Sequence, residues 1–153
     1  MSDLLTHVLV GFTFGTILSV WLEWIDPSFV AIVTVGAVLP DLTKVDMVVP
    51  SSAVEAALGI PFDWFALRTP FGTMLVSSIG ALLVDRPYRL RVFALLLAGA
   101  ASHFVLDALM ISPSRFYHVL LWPVSTRHVA LPALYLSSDS WTAVIAAVVA
   151  LTV

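Results

Sequence analysis

Residues 92–111 form a run of 20 positions in which only His103 and Asp107 can ionise. A helix of that length is about 30 Å long, the thickness of a bilayer's hydrocarbon core. Four other apolar runs accompany it, at residues 4–22, 29–39, 70–84 and 141–153. The second is short for a full crossing and extends back over Asp26-Pro27, since a proline is tolerated in the first turn of a helix. The fifth is short as well, and short spans are met by local thinning or by packing inside a bundle. The expected fold is therefore all-α, an integral membrane bundle of about five helices forming a single domain over residues 1–153.

Composition agrees with that reading. Hydrophobic residues make up 60% of the chain and charged residues 11%, where soluble domains carry about 25% charged residues. Too few polar groups remain to cover a water-exposed surface, so the first partner is the lipid bilayer. Only seven Lys and Arg are present and the net charge is −3. No basic stripe exists, so no nucleic-acid partner is expected. The absence of cysteine removes disulfides, thiolate ligands and a Cys nucleophile. Met1-Ser2-Asp3 lacks a basic n-region, so the first helix is expected to be retained.

The short connection at 85–91 carries Arg86, Arg89 and Arg91. The positive-inside rule places it in the cytoplasm. Threading five spans from there puts His7, Asp41, His103, Asp107, His118 and His128 on the opposite, non-cytoplasmic side of the cell membrane. Their clustering does not depend on which way the bundle is inserted.

His103 and Asp107 are four residues apart and share one helix face. Ionisable groups inside a span are costly and commonly mark a site. A neutral imidazole and a carboxylate at this spacing suit a divalent ion, and His/Asp sets are typical of catalytic zinc. A plain His–Asp hydrogen bond neutralising two buried groups is the alternative. His7 reads as a core histidine or a ligand, and Asp41, after Pro40, as a turn residue or a ligand. Lys44 with Asp46, and Asp63 with Arg68, read as surface or interfacial ion pairs. Phe116, Tyr117 and Trp122 suit interface anchoring. Residues 52–58 form an amphipathic stretch that Ser51 or Ser52 can cap, with Glu55 at the capping-box position. Gly11 and Gly15 have the spacing for close helix contact and are read as packing.

Three elements together, Thr6-His7, Gly36-Ala37-Val38-Leu39-Pro40-Asp41 and Gly99-Ala100-Ala101-Ser102-His103-Phe104-Val105-Leu106-Asp107, resemble the membrane-bound metal-dependent hydrolase family. That family carries T-H, G-x-x-x-P-D-x-D, R-x-x-T-H-S and G-x-x-S-H-x-x-x-D elements, and is similar to zinc-dependent phospholipase C-type enzymes. The resemblance implies a divalent metal, zinc first, held by His7, Asp41, His103 and Asp107. It implies a phosphate ester of a lipid-derived molecule as substrate, with Arg68 stabilising charge that develops on the phosphoryl group. Two positions depart from the pattern. Thr43 stands where the second Asp falls, with Asp46 three residues on, and no histidine accompanies Arg68 in 68–73. A single-metal site, a site completed by His118 or His128, and a non-catalytic structural or interaction protein with a buried His/Asp network all stay open. A proton or ion conduit ranks last, because the inner halves of the runs offer only scattered Ser and Thr.

Overall fold

The structure, a computed structural model, describes residues 4–111, 134–136, 139 and 141–152. The expectations placed on His118, His128 and the aromatics between 112 and 133 lie outside the described residues. Each of the five apolar runs is a helix: α1 (Leu4–Trp21), α2 (Pro27–Val38), α4 (Pro70–Leu82), α5 (Arg89–Ala108) and α6 (Trp141–Thr152). Between α2 and α4 lies a shorter helix, α3 (Ser51–Leu58), flanked by 3₁₀ segments at Leu39–Met47 and Trp64–Arg68.

Local chemistry sets the helix starts. The Asp26 carboxylate accepts from Ser28 N at 2.8 Å and Phe29 N at 3.1 Å, with Pro27 opening the helix behind it. Thr69 does the same for α4, accepting from Gly72 N at 3.1 Å ahead of Pro70. At the far end of α2, Pro40 lacks the N–H an α-turn requires, and the chain tightens into the 3₁₀ segment instead of stopping. The combined span, Pro27–Met47, is 21 residues and joins Leu4–Trp21 and Arg86–Ala108 as the three long enough to cross a membrane among the described residues. α4 and α6, at 13 and 12 residues, are shorter.

Burial is inverted relative to a protein built for water. The largest fully buried side chains include His7, His103, Thr6, Thr69, Thr73 and Ser77, while Val20, Leu83, Leu90 and Leu151 are each more than three-quarters exposed. In water that arrangement discards the hydrophobic effect. In lipid it is favourable, because the outside is hydrocarbon and polar groups find partners only inside. The protein is an all-α membrane bundle.

α2 lies between α1 and α5. Its contact with α1 runs over Gly11 and Gly15, where an added Cβ would meet Ala37 Cβ at 2.6 Å and Val30 Cγ1 at 3.1 Å. The crossing with α5 is closer still. A Cβ on Gly36 would strike the Leu96 carbonyl oxygen, and one on Gly99 the Val33 carbonyl oxygen. The small residues therefore set the interaxial distance, as expected where van der Waals contact drives helix association.

Several local expectations are revised. The capping box of α3 does not form: Pro50 is the N-cap without a side-chain bond, and the Ser51 hydroxyl donates to Asp46 at 2.8 Å while accepting from Trp64 N at 3.3 Å. Asp46 is thus engaged by Ser51, and Lys44 pairs with Asp41 instead, at 2.6 Å. Residues i and i+3 eclipse in a 3₁₀ helix, which puts Lys44 directly over Asp41. Asp63 caps the next 3₁₀ segment through Phe65 N at 2.8 Å, and Arg68 turns inward, away from an Asp63 pair. A parallel pairing of Met110–Ile111 with Tyr135–Leu136 adds two short strands, β1 and β2, beyond the helices.

Candidate functional site

Three elements far apart in sequence bring four side chains together. His7 comes from the first turn of α1, His103 and Asp107 from the last turns of α5, and Arg68 from the end of the second 3₁₀ segment. His7 and His103 are 1% and 0% exposed. Their rings stack with centroids 3.8 Å apart and 17° between planes. Asp107 faces both: its Oδ1 lies 3.6 Å from His7 Nε2 and its Oδ2 3.4 Å from His103 Nε2. Arg68 donates to Oδ2 at 2.5 Å.

The sequence folds this way because α5 places i and i+4 on one face and the Gly36/Gly99 contact brings that face against α2. There the Ala37 carbonyl oxygen lies 2.9 Å from His103 Nδ1. A carbonyl only accepts, so Nδ1 carries the proton and donates. The hydrogen bond thereby fixes the tautomer: in a neutral ring, Nε2 holds a lone pair, and among the described residues that lone pair is buried without a hydrogen-bond partner. It faces a carboxylate, which also presents lone pairs. Two acceptors at 3.4 Å repel unless positive charge lies between them. Either a proton lies between them, borne by the ring or by the carboxyl group, or a metal ion takes the lone pair.

The donor set accommodates an ion. One donor atom from each of His7, His103 and Asp107 lies within 4.8 Å of the others. The two imidazole nitrogens approach different oxygens of Asp107, at 3.6 and 3.4 Å, against ligand–ligand edges of about 3.4 Å for a tetrahedral zinc with bonds of roughly 2.1 Å. A backbone carbonyl behind the ligating ring is the usual partner of a metal-bound histidine. Arg68 Nε is buried and has no hydrogen-bond partner among the described residues.

Of the residues singled out in the sequence, His7, His103, Asp107 and Arg68 converge. Asp41 does not join the donor group. It is buried at the start of the 3₁₀ segment, where the Lys44 ammonium takes its carboxylate. Sequence reasoning missed the Ala37 carbonyl, since a backbone acceptor leaves no mark on residue type. It also missed the Arg68–Asp107 bond, because the turn at Trp64–Arg68 has no periodicity from which to read direction.

The basic connection lies at the other end of the bundle. Arg91 sits over the Trp24 ring at 5.1 Å, so the 85–91 and 23–28 connections share one end. Arg89 and His103 are 14 residues apart on α5, about 21 Å along its axis.

No protein-family model matches the chain, and neither a curated protein nor a solved structure is significantly similar to it.

Proposed function

We propose that this protein is a membrane-embedded hydrolase that uses a divalent metal, zinc first, held by His7, His103 and Asp107, and that it acts on phosphate esters of lipid-derived molecules. The observation that carries the reading is the His103 Nε2 lone pair, buried and aimed at Asp107 with its tautomer fixed by Ala37. The motif resemblance points the same way. A bound ion supplies Lewis acidity and activates water for attack on an ester. The protein's own groups do the rest. Ala37 holds the His103 ring in place. Arg68 orients the Asp107 carboxylate and offers its open Nε–H to an anionic phosphoryl oxygen, where charge-assisted bonds are strongest in a dry site. Asp41 balances Lys44 and is given no ligand role. On the positive-inside rule the cluster belongs to the non-cytoplasmic half of the bundle, since it lies at the end of α5 remote from Arg86, Arg89 and Arg91.

A second reading has an observation of its own. The two rings are nearly parallel, so their lone pairs do not converge without some rotation, and Arg68 already neutralises Asp107. On this reading His103 is an imidazolium and the cluster is a structural network.

The hydrolase reading is tested by assaying phosphate release from lipid phosphate esters with zinc-loaded, detergent-purified protein. Activity should vanish on chelation and return with zinc. His7→Gln and His103→Gln should each lower it at least as much as the ~10–100-fold that losing a supporting partner costs a metal site. Phosphate release that survives both substitutions would refute it.

A further inference from the structure

Arg89, the first residue of α5, donates to the carbonyl oxygens of Leu82 and Val84 at 3.3 and 3.1 Å. The end of α4 and the start of α5 therefore lie level, at the arginine-bearing end of the bundle. From there α5 runs for 20 residues and α4 for 13, about 30 Å against about 20 Å. α5 is long enough to cross the whole hydrocarbon core, whereas α4 ends about 10 Å below its far boundary. The five residues Trp64–Arg68 that lead into α4 advance at most about 10 Å as a 3₁₀ turn. Trp64 is thus held close to the boundary, the level that indole rings favour. It is also tied to the start of α3: Trp64 Nε1 donates to Val49 O at 2.8 Å, and Trp64 N to Ser51 Oγ at 3.3 Å. α3 therefore begins at the edge of the hydrocarbon, not out in water.

No residue of α3 is buried. Ser51 and Val54 are half-buried and the other six are exposed, so the helix meets the bundle along its 51/54 edge. At about 100° per residue, the two flanks beside that edge differ in chemistry. Ser52 and Glu55 lie on one, Ala53 and Ala57 on the other. The turn amides around α3 are already bonded, Ser51 N to Asp46 Oδ1 and Phe65 N to Asp63 Oδ1, both at 2.8 Å, as backbone near hydrocarbon requires. Ile60, Phe65 and Phe71, each about half exposed, carry the lipid-facing surface of α4 up to the end of α3.

We propose that α3 is an in-plane helix seated in the leaflet on the side of the histidine cluster. Its Ala53/Ala57 flank rests on lipid chains and its Ser52/Glu55 flank lies among headgroups. A short helix with one polar and one apolar flank, beginning at the lipid boundary, is arranged for that position. Seated there, α3 fixes the depth of the turn that carries Arg68. This seat needs neither a metal nor turnover, so it is tested apart from the hydrolase reading.

The chain has no cysteine, so single cysteines carry a nitroxide label without interference. Ser52→Cys, Ala53→Cys, Glu55→Cys and Ala57→Cys are made in the full chain and placed in phosphatidylcholine vesicles, beside Ile79→Cys on the lipid-facing side of α4. All five positions are exposed, so the labels disturb no packing. Collision of the label with dissolved oxygen reports lipid, and collision with a water-soluble nickel chelate reports water. The ratio of the two should be high at Ala53 and Ala57, close to that at Ile79, and several-fold lower at Ser52 and Glu55. Frequent nickel collision at all four α3 positions would mean that the helix stands in water. Rare collision with both reagents at Ala53 and Ala57 would mean that protein, a second copy included, covers that flank. Either result overturns the proposal.

Discussion

Asp107→Ala should destabilise the bundle by about 3–5 kcal/mol, the range found when one member of a buried ion pair is removed. Asp107 is 4% exposed and receives the Arg68 guanidinium at 2.5 Å. Deleting the carboxylate leaves that guanidinium inside the bundle with its counter-charge gone, and it removes the group both imidazoles face. Removing both charges has a different outcome. Arg68→Met with Asp107→Leu should recover most of the loss, since apolar replacement of a whole buried pair is often neutral. Reversible unfolding in mixed micelles reads both. The double variant should fold well yet bind no metal, which separates the contribution of the cluster to stability from its contribution to function. A single Asp107→Ala variant as stable as wild type would mean that the Arg68–Asp107 bond is not formed in the membrane.

The α2–α5 crossing carries the second large effect. Gly99→Ala sets a methyl against the Val33 carbonyl oxygen and 2.7 Å from Ala37 N, and Gly36→Ala sets one 2.8 Å from Leu96 Cα. The obstructing atoms are backbone, so no rotamer change relieves them and the helices must separate. Overpacking of this kind costs about 1–3 kcal/mol, occasionally more, against a gain in helix propensity of about 1 kcal/mol. The separation also pulls Ala37 O away from His103 Nδ1 and frees the tautomer. Gly99→Ala is therefore expected to lower the melting temperature and weaken metal binding together. Gly80→Ala is the control: its methyl meets only the tip of Leu96, at 3.3 Å, and should be neutral or mildly stabilising. Equal behaviour of the two variants would contradict the close crossing.

The helices were legible in the sequence because lipid demands unbroken apolar runs, and a run of the right length has few other uses. Residues 4–22 and 70–84 became Leu4–Trp21 and Pro70–Leu82. The i, i+4 relation of His103 and Asp107 was legible for the same reason: helix geometry is fixed once the helix is known. Legibility ended where 3₁₀ turns begin. Proximity in sequence pairs Lys44 with Asp46, whereas the tighter turn stacks it on Asp41. Proximity likewise pairs Arg68 with Asp63, whereas Asp63 caps the turn at Phe65 N and Arg68 reaches Asp107. The closeness of His7 to His103 was legible only as a shared level in the membrane. That their rings stack depends on the glycine contacts that set α1, α2 and α5 side by side.

In the proposed site the positive charge between His103 and Asp107 is a metal ion. The most direct measurement is the metal content of the detergent-purified full chain, beside a His7→Gln/His103→Gln variant shown by circular dichroism to be folded. About one divalent ion per wild-type chain, retained through gel filtration and absent from the variant, is the expected result. A wild-type protein that holds no ion, even after loading with zinc, would contradict it and leave His103 as an imidazolium in a structural network with Asp107 and Arg68.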